Sequence, residues 1–152
     1  MADGKLGVLP DRELAALFDA GAIQSASALD ADQIQPASLD LRLALEAYRI
    51  RASFLPGSER SVTDVLKAPG TELHRIELSQ GAVLETGCVY LVPLQESLDL
   101  PEDISGRANP KSSTGRIDVF TLVETDRSKA YDDVHRNYSG QLWLEISQRT
   151  FP

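Results

Sequence analysis

Residues 109–116 read Asn-Pro-Lys-Ser-Ser-Thr-Gly-Arg, so three consecutive hydroxyls lie between Lys111 and Arg116, with Gly115 beside them. Hydroxyl and backbone N–H groups donate to phosphate oxygens, cations neutralise phosphate charge, and a glycine lets the backbone come close to a ligand. The same residues would also suit a polar surface turn, and their spacing leaves both readings open. A second segment, residues 140–147, reads Gly-Gln-Leu-Trp-Leu-Glu-Ile-Ser. Its alternation predicts a strand with Leu142, Leu144 and Ile146 toward the core and Gln141, Trp143 and Glu145 on the other face. A carboxylate beside a tryptophan can have a raised pKa and act as a general base. On an open strand face it would be a solvated residue, and the pattern by itself favours that plainer reading.

Several other chemistries lack their residues. Zinc-dependent base deaminases combine an H-x-E with a distant P-C-x-x-C. Here Cys88 is alone, and His74 and His135 have no partner at metal-ligand spacing. No catalytic or structural zinc is therefore expected, and both histidines read as ordinary surface residues. The phosphate loop G-x-x-x-x-G-K-[ST], the dinucleotide fingerprint G-x-G-x-x-G and the nucleophile elbow G-x-S-x-G do not occur. With 15 basic and 23 acidic residues the net charge is −8. Such a field repels nucleic acid polymers and anionic membranes. A small phosphate ligand would need a local cluster of donors, and the basic and hydroxyl residues concentrate at 111–116. The longest apolar runs, such as residues 88–92, are far too short to cross a bilayer. The start, Met1-Ala2-Asp3-Gly4-Lys5, has no leader-like apolar stretch, so a cytoplasmic location is expected.

The elements that must position these residues are short. One helix is predicted near the start, with Asp11 as its cap, Leu14, Leu17 and Phe18 on one face, and Gly21 at its end. Leu39, Leu41, Leu43 and Leu45 alternate with Asp40, Arg42 and Ala44, which predicts a strand with one buried face. Residues 51–70, with Pro56-Gly57 and Pro69-Gly70, read as loop. Strands are predicted at 83–84 and 88–92 around Thr86-Gly87, at 98–100 before Pro101, at 117–121 and at 142–146. The polar stretch 126–137 reads as a loop between two of them. Many short strands with Gly and Pro punctuation predict a sandwich, jelly roll or barrel. The 152 residues suit one domain.

Together these segments resemble deoxycytidine triphosphate (dCTP) deaminase, a family of the deoxyuridine triphosphatase-like fold. The family pattern is a basic residue, two serines, two small or apolar residues and an arginine, followed by a strand ending in an aliphatic residue and a glutamate. Here it reads K-S-S-T-G-R and then L-W-L-E. Upstream, Gln35-Pro36-Ala37-Ser38-Leu39-Asp40-Leu41-Arg42-Leu43 looks like the family's first strand, and the stretch from Tyr90 to Pro101 follows in the expected order. The resemblance spans nearly the whole chain and is closest to the first half of the long, tandem form. It implies a mainly β fold, a distorted jelly roll or β-clip with a short N-terminal helix.

The resemblance also implies an activity and a site. dCTP and water would give deoxyuridine triphosphate (dUTP) and ammonia without zinc. Glu145 would take a proton from a water positioned by Ser112, and that water would attack C4 of cytosine. Glu145 would then pass the proton toward the base and the leaving amine. Arg116 would orient Glu145 and stabilise developing negative charge. Lys111, Ser112 and Ser113 would hold the triphosphate, with Thr114 and Gly115 completing the binding segment. Trp143 and Leu144 would line the base pocket. Asp132, or failing that Asp133, would bind the sugar hydroxyl. Magnesium would arrive on the triphosphate rather than in a protein cage. Sites in the family form between subunits, so a trimer-like homo-oligomer is implied.

Three features depart from the family. The loop at 126–138 is longer than in the short enzymes, and Lys111 stands for the more usual arginine, which keeps the charge but loses the planar fork. The sequence stops at Pro152, shortly after the glutamate strand, where relatives continue with further strands and a closing segment. A single domain over residues 1–152, shortened at its carboxyl end, is expected. The alternatives are a dUTP diphosphatase or bifunctional enzyme of the same fold, and a nucleotide-binding module without turnover. An unrelated β domain is the remaining reading.

Overall fold

The computed structural model describes residues 7–150; the amino-terminal residues read above for a leader, and Pro152, lie outside them. In chain order the elements are helix α1 (Asp11–Asp19), β1 (Ile23–Ser25), β2 (Ile34–Gln35), β3 (Ser38–Leu39), β4 (Glu46–Ile50), helix α2 (Val62–Leu66), β5 (Glu72–Glu77), β6 (Val89–Asp99), β7 (Gly106–Arg107), helix α3 (Ser112–Gly115), β8 (Val119–Glu124), β9 (Asp133–Val134) and β10 (Ser139–Gln148). One antiparallel sheet runs in the order β5-β4-β6-β10-β8, with β1 also pairing β6, and two-stranded ribbons join β2 to β3 and β7 to β9.

The long strands β6 and β10 lie side by side inside the sheet, and apolar side chains cover both of its faces. On one face Tyr48, Ile50, Leu91 and Trp143 pack under Val62 and Leu66 of α2 and against Phe54. On the other, Ala47, Val92 and Ile146 pack with Leu84 and Val119, and a further cluster gathers Leu94, Leu100, Val123, Val134, Tyr138 and Leu142. β10 is therefore a central strand with two covered faces, not the half-solvated strand that its alternation suggests. At its start Gly140 has φ +157°, and a Cβ there would sit 2.9 Å from the Tyr138 hydroxyl, so this position has no room for a side chain.

Helix α1 and the strands at 119–124, 139–148 and 89–99 match the sequence reading in kind, although residues 83–84 form no strand. Pro10, not Asp11, is the N-cap of α1, and the Asp11 carboxylate instead accepts from the Arg12 N–H at 2.7 Å. Gly21, at φ +75°, ends the helix as predicted, its N–H donating to the Phe18 carbonyl. Helix α2 lies within the stretch read as loop. Its signal was present in Ser61-Val62-Thr63-Asp64, a capping box in which the Ser61 hydroxyl and the Asp64 carboxylate each accept the other's backbone N–H.

The leucine alternation over residues 39–45 does not make one strand. Ser38–Leu39 pairs with β2, Leu43 makes an isolated bridge to Leu94, and Leu43 and Leu45 are 40% and 64% exposed. The cause lies in β6. β10 pairs Gln141 with Ser97 and Trp143 with Pro93, so residues 94–96 bulge opposite Leu142. Glu96, fully buried in that bulge, accepts from the Arg42 backbone N–H at 2.8 Å, the Arg42 Nε at 3.0 Å and the Gln33 side-chain amide at 2.8 Å. The Arg42 N–H is thus bound to a side chain, and the ladder is interrupted there. Arg42 also donates to the Ala28 carbonyl and the Ser25 hydroxyl, which ties residues 25–42 onto the sheet. Arg42→Ala would leave Glu96 buried without its cation and should destabilise the fold by about 3 kcal/mol. A fall in Tm of roughly 10 °C for a domain of this size checks it.

Candidate active site

Glu145 and Trp143 stand on the face of β10 that α2 covers, and both are buried, with Glu145 only 6% exposed. The strand that places them is extended and apolar on its other face, so alternation delivers a carboxylate into the interior. Burial strips water from that carboxylate, and other donors must replace it. The Ser53 hydroxyl supplies one, lying 2.8 Å from Oε1 and 2.6 Å from Oε2 of Glu145. The Tyr131 hydroxyl lies 2.9 Å from the Ser53 oxygen and 2.9 Å from the Phe54 carbonyl, which it donates to. Burial raises the Tyr131 pKa first, and the charges of Glu145 and Glu124 add to it. Ser53 is itself exposed and lines a surface recess with Arg51, Phe54 and Val65, so it connects Glu145 to the solvent side.

A second carboxylate occupies the same face. Glu124 pairs with Trp143 across β8 and β10, and Leu122 pairs with Glu145, so the two acids are diagonal neighbours. Glu124 is fully buried, and neither of its oxygens has a hydrogen-bond donor among the described residues. Burial, and then the adjoining Glu145 charge, push its pKa up to about 9.

The other sequence-predicted residues fall elsewhere. Lys111 is the N-cap of α3 and forms an ion pair with Asp40. That contact raises the Lys111 pKa, through the hydrogen bond first and the Asp40 charge second. Ser112, Ser113, Gly115 and Arg116 are exposed and Thr114 is half-buried. Nothing lies within 4 Å of a Cβ built at Gly115, so no contact inside one chain requires glycine there. The Arg149 N–H donates to the Asp118 carbonyl, which sets α3 at the end of β10. Glu145 lies four residues back, roughly 13 Å along the strand. The hydroxyl segment and Glu145 are therefore not brought together within one chain.

Asp132, at φ +59°, accepts from the Val123 N–H at 2.7 Å and donates its own N–H to the Val123 carbonyl at 2.8 Å. It terminates the β8 edge level with Leu144, which pairs with Val123. Asp133 sits in β9 opposite Arg107. The Leu144 side chain packs in the apolar clusters on the opposite face from Glu145, as the alternation predicts. Adjacent strand residues cannot line one pocket with their side chains, so Leu144 offers that side of the sheet only its backbone. Trp143 shares the Glu145 face, where its ring lies 6.3 Å from that of Tyr48.

The sequence reading missed Ser53, Tyr131 and Glu124. Ser53 and Tyr131 belong to segments without regular secondary structure, where no periodicity points at a partner. Glu124 had a signal: it closes the apolar run Val119-Phe120-Thr121-Leu122-Val123, a place where a solvated acid is not needed. No group of three or more His, Cys, Asp or Glu residues able to hold a metal occurs among the described residues, and no helix there is long and apolar enough to cross a membrane.

Glu124 also has a consequence for stability. The folded chain keeps its proton up to about pH 9, whereas an unperturbed glutamate loses it near 4.5. Between those limits the folded state binds more protons than the unfolded state, so stability falls as pH rises. Glu124→Gln removes that titration. Its stability relative to the parent chain should rise across this window by up to about 1.4 kcal/mol per pH unit. Urea unfolding at the two ends of the window reads the difference, and an equal difference at both ends would show that Glu124 is ionised in the folded chain.

The comparisons with known proteins agree on one family. The family model described as the 2'-deoxycytidine 5'-triphosphate deaminase N-terminal domain matches residues 5–152. The chain is 32% identical over 145 residues to a "dCTP deaminase, dUMP-forming" of Parafrankia, a match covering 92% of this chain and 65% of that protein. It is 28% identical over 141 residues to the protein of the same name from Thermobifida fusca, covering 92% and 66%. In three dimensions it is similar to the crystal structure of 2'-deoxycytidine 5'-triphosphate deaminase from Agrobacterium tumefaciens, with a TM-score of 0.93 and 57% identity over 96% of this chain and 43% of that one. The chain thus spans about two thirds of these curated relatives and under half of the Agrobacterium protein, in keeping with the first half of a long form. The mainly β architecture expected from the resemblance is the one observed. By the match over residues 5–152, the chain belongs to the dCTP deaminase family, in which it corresponds to the N-terminal domain.

Proposed function

We propose that this chain supplies the deaminating site of a dCTP deaminase, converting dCTP and water to dUTP and ammonia in the cytoplasm. The observation that carries the reading is Glu145: a buried carboxylate on a central strand, held by a serine hydroxyl, in a chain of this family. A general base needs limited hydration and a fixed direction, and both are present. In this reading Glu145 takes a proton from the attacking water and returns it to the leaving amine. Trp143 backs the carboxylate, and the backbone of Leu144 faces the base. Asp132 meets the sugar hydroxyl.

Residues 111–116 enter from a neighbouring copy. Lys111, Ser113, Thr114 and Gly115 hold the triphosphate, Ser112 positions the water, and Arg116 stabilises developing charge. The distance between α3 and Glu145 within one chain, and the exposure of this segment, support a trimer-like homo-oligomer. Magnesium is carried by the triphosphate and needs no cage of side chains. A second reading has specific support. The Parafrankia and Thermobifida relatives are named as dUMP-forming, so the same site would also cleave the triphosphate, and the product would be deoxyuridine monophosphate with pyrophosphate.

Glu145→Gln should lower ammonia release from dCTP with magnesium by about a hundredfold or more while leaving nucleotide binding largely intact. Normal turnover by that variant would remove Glu145 as the base. Arg116→Ala should also lose turnover while each chain stays folded, because Arg116 is exposed within one chain. Mixing the two inactive variants should restore part of the activity if each site takes Glu145 from one copy and Arg116 from another. Chromatographic analysis of the product separates the two readings: dUTP supports the simple deaminase and the monophosphate supports the dUMP-forming one.

A further inference from the structure

The two acids on the α2-covered face pose a charge problem that the proposed reaction does not use. Glu124 is fully buried, lacks a donor among the described residues, and neighbours Glu145. None of the ion pairs among the described residues involves either acid. The other polar groups in contact with Glu145 or through it are the Ser53 and Tyr131 hydroxyls, which carry no charge near neutrality. Two ionised carboxylates placed side by side in so dry a site repel strongly. One proton between them removes the repulsion and gives Glu124 the hydrogen bond it lacks.

We propose that Glu124 is a positioning residue that stays un-ionised and donates its O–H to the Glu145 carboxylate, so that the pair shares one proton. This rests on the reading of Glu145 as the base. Glu145 is then held from two sides, by Ser53 and by Glu124, and stays charged and directed when the substrate arrives. The proton balance closes without a co-reactant. When Glu145 accepts the proton of the attacking water the pair holds two protons, and release of one to the leaving amine restores the original state. Ionisation of Glu124 at alkaline pH would withdraw the donor and add a second negative charge beside the base.

Infrared difference spectroscopy tests the pair without relying on turnover. The parent chain at neutral pH should show the carbonyl band of an un-ionised carboxylic acid, and Glu124→Gln, which keeps an N–H donor but cannot ionise, should lack it. In the pH profile of ammonia release from dCTP, the parent should lose activity on the alkaline side as Glu124 ionises, and Glu124→Gln should lose that limb while retaining turnover at neutral pH. Glu124→Leu, which has no donor, should fall about ten- to a hundredfold below Glu124→Gln. Absence of the acid band, or an alkaline limb unchanged in Glu124→Gln, overturns the shared proton. A band in a chain that releases no ammonia upholds the pair and overturns the deaminase reading, so the two failures are distinguishable.

Discussion

A carboxylate inside a folded chain must recover, from fixed groups, the solvation it loses on leaving water. The structure around β10 is organised by that constraint. Glu145 is placed in the interior because β10 runs between β6 and β8 with both faces covered. α2 and the residues just before it close the face on which Glu145 stands; Ser53 reaches it from a segment distant in sequence, and Tyr131 reaches Ser53 from another. The covering that makes the acid chemically useful also makes it costly to bury, and a single serine hydroxyl is a thin replacement for water.

The other buried acid among the described residues shows how a fully satisfied interior carboxylate looks. Glu96 receives a backbone N–H, a guanidinium and a side-chain amide, and its charge is matched by Arg42. Such a pair holds local geometry, here the β6 bulge and the chain from residue 25 to residue 42. Among the described residues neither Glu145 nor Glu124 has such a cation. The contrast separates an acid matched by a cation of its own chain from two acids that share one covered face without one.

The cations that the proposed chemistry requires lie in a different place. Lys111 and Arg116 are on the solvent side of α3, and Lys111 is engaged by Asp40. In the proposed reading, a cationic, hydroxyl-rich segment in water and a carboxylate in a dry recess are complementary halves of a triphosphate site. Their separation in one chain makes assembly the step that completes the proposed site.

The sequence by itself determined the residue types that carry the chemistry and the strands that display them. The hydroxyl segment at 111–116, the alternation through Glu145 and the helix at 11–19 are local features, set by neighbours within a few residues. Their meaning was decided by tertiary structure. Alternation in β10 reads alike for an edge strand and a central one, and only the packing of α2 on one face turned Glu145 and Trp143 from solvated to buried. The leucines at 39–45 carry the period of a strand, yet a bulge in a strand some fifty residues away breaks their ladder. Ser53 and Glu124 come to Glu145, and Tyr131 to Ser53, from three separate segments, and no spacing in the sequence encodes that meeting. Local steric and hydrogen-bonding preferences are written residue by residue, whereas burial belongs to the whole chain.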